Sequence, residues 1–120
     1  MKKLHLPLKK EWYEMIESGV KTEEYREIKS YWINRLIQTE DGRIIKKGAA
    51  CVLEANRSFL YSGIYEGRLT YADYTHVKFS YGYTKRTMTF EIESIAVGNG
   101  NPSWGAPAEI VFIIKLGKRV

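Results

Sequence analysis

The sequence predicts an α+β protein in which a small mixed sheet or partly closed barrel carries two helices. Residues 87–97, TMTFEIESIAV, alternate apolar and polar side chains, which is the pattern of a half-buried strand. Two segments near the N-terminus instead repeat their apolar residues at helical spacing. Further short apolar runs are separated by turn residues, and this arrangement favours several short strands in one sheet or barrel.

The composition is that of an ordinary globular protein. With 120 residues, of which 44% are hydrophobic and 28% charged, the chain can bury one core, and we predict a single domain over residues 1–120. No apolar run approaches the roughly 20 residues that span a bilayer, and residues 1–12 lack the apolar segment of a secretory signal. We therefore expect a cytoplasmic monomer with no membrane partner.

Net charge and the residues that bind metals narrow the possible partners. The formal charge of +5 favours an anionic partner such as nucleic acid. Cys51 is the only cysteine, and its apolar neighbours predict a buried small hydrophobic residue. His5 and His76 have no acidic or cysteine companions at metal-ligand spacing. We predict neither a metal site nor a cofactor.

The first half of the chain is predicted to form a strand and two helices. Residues 4–8 alternate and include Pro7, which suits an edge strand. Residues 9–18 have helical spacing and are followed by Gly19, a typical helix-ending residue, and residues 28–37 resume the helical period. Residues 21–27 lack an apolar stripe and are predicted to be extended. Alternation along an extended chain would place Lys21, Glu23, Tyr25 and Glu27 on one face and Thr22, Glu24 and Arg26 on the other.

The second half is predicted to consist mostly of strands. The apolar run GAACVLEA, residues 48–55, suits a buried strand. Residues 56–83 are rich in tyrosine and glycine and are predicted to hold two short strands, the clearer of them at residues 75–81. After the strand at residues 87–97, the composition of residues 98–107 indicates a loop, and EIVFIIKL, residues 109–116, indicates a final strand.

Residues 19–26, GVKTEEYR, place opposite charges close together directly after the first predicted helix. Gly19, Lys21, Glu24 and Arg26 match the G-x-K-x-x-E-x-R signature of the ASCH domain family, a branch of the PUA-like superfamily. Residues 12–36 resemble the N-terminal half of short, stand-alone bacterial and phage-type members of that family. Residues 82–107 and 111–117 are similar to the C-terminal half of the same group. The resemblance therefore extends over most of the chain.

The resemblance implies a small PUA-like β-barrel with two or so flanking helices and a cleft that receives the signature residues. It also implies RNA or nucleotide binding, by likeness to PUA domains. Lys21 and Arg26 would donate hydrogen bonds to a phosphate or carbonyl oxygen, and Glu24 would accept one from a base amine. The alternative is structural, with Glu24 and Arg26 paired on one strand face to stiffen the barrel mouth.

Aromatic residues supply a second predicted feature of a nucleic-acid surface. Tyr83 and Arg86 belong to a hairpin-like stretch in which aromatic and basic residues alternate, as base stacking beside phosphate contacts requires. Trp104 is a large aromatic residue in a predicted loop, where it would either anchor the core or close over a base in the cleft.

Two other functions are compatible with the sequence. Some ASCH proteins are amidohydrolases that remove an acyl group from the exocyclic amine of cytidine derivatives. In that branch the signature lysine works with a threonine, and the threonine's position is occupied here by Glu24, while Thr22 stands elsewhere. Lys21 would then activate the attacking group with Glu24 as general base. The third possibility is a protein-interaction module that uses the tyrosine-rich middle of the chain.

Overall fold

The computed structural model describes all residues from 1 to 120 and confirms the α+β class. Seven strands and four helices follow one another along the chain: β1 (Lys3–Leu8), α1 (Lys10–Glu17), β2 (Glu23–Glu27), α2 (Ser30–Leu36), β3 (Ile37–Thr39), α3 (Lys47–Ala55), α4 (Arg57–Tyr65), β4 (Leu69–Tyr71), β5 (His76–Tyr81), β6 (Thr87–Gly98) and β7 (Val111–Arg119). A single 3₁₀ turn spans Pro102–Trp104. None of the helices combines the length and the apolar character that crossing a membrane requires.

Five of the strands form one sheet in the order β1-β5-β6-β7-β2, curled into a half-barrel. β1 and β5 run parallel, with Leu6 opposite Phe79, whereas β5 pairs with β6 and β6 with β7 in antiparallel fashion. The register between β6 and β7 shifts twice between Phe90 and Ser94. Such irregularities bend a strand and increase its twist, which explains how the long β6 follows the curl of the sheet.

The chain divides into two units, and the first contains Met1–Tyr25 and Asp73–Val120. Helix α1 packs on β5, where the rings of Tyr13 and Tyr81 meet edge to face with their centroids 5.2 Å apart. Alternate residues of β1 are buried, as the sequence pattern predicts. The main buried side chains of this unit are Leu4, Leu6, Leu8, Tyr13, Ile16, Val77, Phe79, Met88, Phe112 and Ile114.

The second unit, Arg26–Ala72, consists mainly of helices. Its two short strands, β3 and β4, pair in antiparallel fashion with Ile37 opposite Tyr71. Helix α2 packs on α3, and the Glu54 carboxylate accepts a hydrogen bond from the backbone N–H of Ser30 at the start of α2. The core of this unit comprises Ile28, Ile33, Leu36, Ile37, Ile45, Ala50 and Leu60.

The prediction of a buried strand at residues 48–55 is wrong, because these residues belong to helix α3. Alanine, leucine and glutamate favour helices, and a short apolar run cannot by its period alone be assigned to a strand or a helix. Only Ala50 is fully buried in α3. Cys51 is exposed, so the prediction that its thiol is buried is also wrong.

The remaining predicted elements are confirmed within a few residues. The strands predicted at residues 4–8, 75–81 and 87–97 correspond to β1, β5 and β6, and the final strand begins slightly later than predicted, at Val111. The two predicted helices correspond to α1 and α2. Residues 56–83 contain two short strands as predicted, β4 and β5, and also helix α4, which was not predicted.

Candidate functional site

A left-handed glycine at the end of α1 positions the first residue of the site. Gly19 has a φ of +85°, a conformation that glycine adopts without the steric cost of a Cβ. The chain turns back on itself after this glycine, and the Lys21 N–H donates to the carbonyl oxygen of Met15 at 3.0 Å. This turn directs Lys21 toward the interior of the first unit, where only 2% of its surface is exposed.

The Lys21 ammonium group is enclosed by one carboxylate, one carbonyl and two aromatic rings. Its Nζ lies 3.0 Å from Oε1 of Glu24 and donates a hydrogen bond to the backbone carbonyl of Trp104. The ring centroids of Trp12 and Tyr25 lie 4.8 and 5.1 Å from the same nitrogen. Cation–π attraction strengthens when the cation is removed from water, so both rings stabilise the buried charge. We call Lys21, Glu24, Trp12 and Tyr25 the lysine cage.

The contact between Lys21 and Glu24 differs from the predicted alternation. The sequence pattern placed these residues on opposite faces of an extended chain, but β2 begins only at Glu23. Lys21 therefore lies in the turn before the strand, where the alternation rule does not apply. The two side chains meet as a buried pair three residues apart.

Tyr25 links the cage to the loop that follows β6. Its hydroxyl donates to Oε1 of Glu23 at 2.8 Å and accepts a hydrogen bond from the backbone N–H of Asn101 at 3.0 Å. Burial of the phenol, reinforced by the hydrogen bond to Glu23, raises the pKa of Tyr25 to about 12. The phenol therefore stays protonated at physiological pH and keeps its role as a donor.

The loop from Gly98 to Pro107, here called the tryptophan loop, covers one side of the cage. Its residue Trp104 is half-buried and packs against the apolar cluster of Tyr25, Ala106 and Val111. Gly100 lies so close to Tyr25 that a Cβ on the glycine would be 2.6 Å from the ring. Gly105 lies against Trp12 in the same way, at 2.9 Å. The loop thus contacts both aromatic residues of the cage.

Arg26 belongs to the second unit, where its guanidinium carbon lies 5.3 Å from the ring centroid of Trp32. It follows Glu24 by two positions along β2 and is partly exposed.

Tyr83 and Arg86 lie in the β5–β6 turn, at the opposite end of β6 from the tryptophan loop. The Arg86 guanidinium lies 5.2 and 4.8 Å from the ring centroids of Tyr13 and Tyr81. It also donates to Oε1 of Glu17 at 2.8 Å, and this hydrogen bond raises the pKa of Arg86. Tyr83 is 98% exposed. Of the predicted residues, Lys21 and Glu24 therefore belong to the lysine cage, with the Trp104 carbonyl against it, whereas Tyr83 and Arg86 form a separate surface group.

Three residues of the site were not predicted to have a role in it. The helical spacing of Trp12 is that of a packing residue, and nothing local to it indicates contact with a lysine. Tyr25 stands within the signature segment, so its position there is a signal that could have been used. Asn101 acts through its backbone N–H, which no side-chain pattern reveals.

The cage offers a donor and an acceptor held side by side in a nearly dry setting, with no net charge. No group of three or more histidine, cysteine or carboxylate side chains is arranged to hold a metal ion.

Comparison of the chain with protein-family models, with curated proteins and with solved structures gave no match in any of the three.

Proposed function

We propose that this protein is an ASCH-type, PUA-like module that binds a nucleoside, a nucleotide or single-stranded RNA through the lysine cage. Lys21 would donate to a carbonyl oxygen of the ligand, and Glu24 would accept from a neighbouring amine. The proposal combines the signature at residues 19–26 with the buried contact between these two side chains.

The burial of the pair is the observation that carries the proposal. Taking a carboxylate and an ammonium group out of water costs several kcal/mol per ion in general, and their attraction often no more than offsets this cost. An apolar pair of similar volume would stabilise the fold at least as well. Packing alone is therefore a weak reason for Lys21 and Glu24 to occupy this position, whereas recognition of a polar ligand is a sufficient one.

The charge balance favours a base edge over a phosphate as the group that the cage recognises. Glu24 already neutralises Lys21, so a phosphate approaching the pair would meet an attractive cation and a repulsive carboxylate together. A neutral group with an acceptor beside a donor, such as the carbonyl and amine edge of cytosine, meets a complementary partner at each position. Phosphate contacts of an RNA ligand are assigned instead to exposed basic residues.

Tyr83 and Arg86 are the proposed RNA contacts outside the cage. Tyr83 is almost fully exposed and can stack on an unpaired base, while Arg86 is positioned by two tyrosine rings beside it. The proposed role of Arg26 in holding phosphate rests on its place in the signature.

The alternative is an amidohydrolase that acts on acylated cytidine-type nucleosides. The 3.0 Å contact between Lys21 and Glu24 favours it, because a general base must lie within hydrogen-bond reach of the groups it serves. Glu24 would take a proton from a water molecule as the water oxygen attacks the acyl carbonyl. The carbon–nitrogen bond would then break, with the proton returned to the exocyclic amine as the carboxylic acid leaves.

The binding proposal is tested by titrating isotope-labelled protein with cytidine, cytidine monophosphate and a short single-stranded RNA while amide and side-chain NMR shifts are followed. We expect shifts at Lys21, Glu24 and the Trp104 indole with all three ligands. Cytidine and its monophosphate should bind with similar affinity if the cage reads the base. Acetylated cytidine, followed for the release of acetate, tests the amidohydrolase alternative in the same experiment.

The matched variants are Lys21→Met, which keeps the length of the side chain without its charge, and Lys10→Met on the exposed face of α1. Loss of nucleoside binding in the first variant alone supports the cage as the site. Equal binding by both variants, or an absence of shifts with all the ligands, overturns the proposal.

A further inference from the structure

We propose that the tryptophan loop is a latch in which the carbonyl of Trp104 occupies the position on Lys21 that a ligand's carbonyl takes. Loop and ligand would then compete for the same N–H donor, and the latch must open before the cage can be filled. The identity of the competing ligand rests on the function proposed above, whereas the opening of the latch can be measured without any ligand.

The first argument is the burial of Lys21. Only 2% of its surface is exposed, and its Nζ is already engaged by Glu24 and by the Trp104 carbonyl. A ligand cannot reach this nitrogen while the loop is in place. Of these two contacts, the one to Glu24 lies within the same short segment of chain, so the Trp104 carbonyl is the contact that a moving loop can give up.

The second argument is that the loop is organised as a unit of its own. The backbone carbonyl of Asn101 accepts from the N–H groups of Trp104 and Ala106 at 2.9 and 3.2 Å. The Asn101 side chain accepts from the N–H of Ser103 at 2.9 Å, and Gly105 donates to Pro102 at 3.1 Å. These bonds are internal to the loop, so they persist when it moves as one body.

The third argument concerns what joins this body to the cage and to the strands. Hydrogen bonds join it to the cage, including one from Lys21 to Trp104 and one from Asn101 to the Tyr25 hydroxyl. Asn99 and Gly100 follow β6 and precede the body, and exposed residues 107–110 connect it to β7. Glycine-containing flanks of this kind can absorb the backbone rotation of a hinge. The latch is thus held at its centre by these hydrogen bonds and by the packing of Trp104 and Gly105, and it is flanked by segments that can turn.

The fourth argument identifies the class of ligand. The Trp104 carbonyl oxygen is a neutral amide acceptor, and it accepts from a lysine whose charge Glu24 already balances. A ligand that replaces it must present a comparable neutral carbonyl, as the pyrimidine ring does at its C2 position. Inorganic phosphate lacks this character and should not displace the loop.

The opening of the latch is tested by reductive methylation of the lysines, with Lys21 followed by peptide mass spectrometry. In the wild-type protein Lys21 should react far more slowly than the exposed Lys10. Gly100→Ala places a Cβ 2.6 Å from both the Tyr25 ring and the Ala106 side chain, which should force the loop away from the cage. We expect this variant to raise the methylation rate of Lys21 by about tenfold or more.

Gly48→Ala is the matched control, because a Cβ at that glycine meets nothing within 4 Å and its φ is not in the left-handed region. Tyr25→Phe is a second opening variant that removes the bond to Asn101 without a steric clash, and it should also accelerate the reaction. Slow amide exchange at Leu6 and Phe79 confirms in each variant that the sheet is intact. Methylation of Lys21 at the same slow rate in both variants, or as fast as Lys10 in the wild type, overturns the latch.

A parallel titration separates this inference from the proposed function. If the latch competes with the ligand, Gly100→Ala should bind cytidine more tightly, by up to the factor by which its open population rises. Faster methylation without binding of any nucleoside would support the latch and count against the proposed function. If the wild type binds cytidine tightly, and Gly100→Ala shows the same affinity and the same rate of Lys21 methylation as the wild type, the function is supported and the latch is overturned.

Discussion

Lys21 and Glu24 form an ion pair in which Nζ and Oε1 are 3.0 Å apart and neither side chain is more than 6% exposed. The ion pair of Arg86 with Glu17 is instead half-exposed, so solvent screens it. Removing one member of a buried pair leaves an uncompensated charge, so the two residues depend on each other far more than surface pairs do.

Replacing Glu24 by glutamine should lower the free energy of unfolding by about 3–5 kcal/mol, because Lys21 would remain buried without a countercharge. The double variant Lys21→Met with Glu24→Leu should recover most of that loss, since an apolar pair avoids the desolvation cost. Urea unfolding of Lys21→Met, Glu24→Leu and the double variant measures the coupling. Glu93→Gln, which affects an exposed pair with Lys115, is the control and should change the free energy of unfolding by less than about 1 kcal/mol. Additive effects of the two cage substitutions would contradict the prediction.

Stability should fall in alkaline solution as Tyr25 loses its proton. The pKa of this phenol is raised to about 12 from the ordinary value of 10, so folding favours the protonated form. The resulting contribution to the free energy of unfolding is complete below pH 10 and is lost as pH rises from 10 through about 12. Denaturant unfolding over this range, compared between the wild type and Tyr25→Phe, measures the effect. A steeper fall in the free energy of unfolding with rising pH in Tyr25→Phe than in the wild type would contradict this prediction.

Glu54→Ala should destabilise the helical second unit. The Glu54 carboxylate accepts from the Ser30 N–H at the beginning of α2, where Lys29 provides no side-chain cap. Loss of a capping acceptor typically costs about 0.5–2 kcal/mol. Amide exchange at residues of α2 reports the loss directly, and the exposed Glu40→Ala serves as the control. Unchanged exchange at Ser30 and Tyr31 in Glu54→Ala would show that the carboxylate does not cap the helix.

Glu17→Gln should leave stability nearly unchanged but strengthen the binding of RNA. The pair that Glu17 forms with Arg86 is half-exposed, so its loss has little effect on folding. The substitution removes a negative charge and frees the Arg86 guanidinium for a phosphate. In fluorescence anisotropy at several salt concentrations, the logarithmic salt slope should become steeper by up to about 1. Glu66→Gln, in the pair with Arg68, removes the same charge elsewhere, and an equal effect of both substitutions would contradict a specific role for Arg86.

Periodicity predicted those elements whose pattern is set by one buried face. β1 and β6 alternate because one side of the sheet is buried, and α1 shows the helical period because it packs on β5. Helix α3 does not follow this rule. Its exposed face carries small apolar residues, so the sequence resembles a buried strand although the chain is helical. Its assignment depends on packing against α2, which no local pattern contains.

The site was predictable in part for a similar reason. Lys21 and Glu24 could be selected from their charge and spacing, but their burial also depends on Trp12 and Trp104, which approach from two other segments of the chain. Such long-range contacts leave no mark at the positions themselves. The carbonyl of Trp104 is a further example, because every residue has a carbonyl and only the folded loop directs this one to the lysine.

The parallel pairing of β1 with β5 has a consequence for how the chain folds. β1 is synthesised well before its partner β5, which begins only at His76, after residues 9–75 have been added. Closing so long a loop is entropically costly and slows folding, whereas residues 26–72 make their contacts locally. During synthesis β1 therefore remains without its partner strand until β5 has been made, whereas residues 26–72 can already be folding.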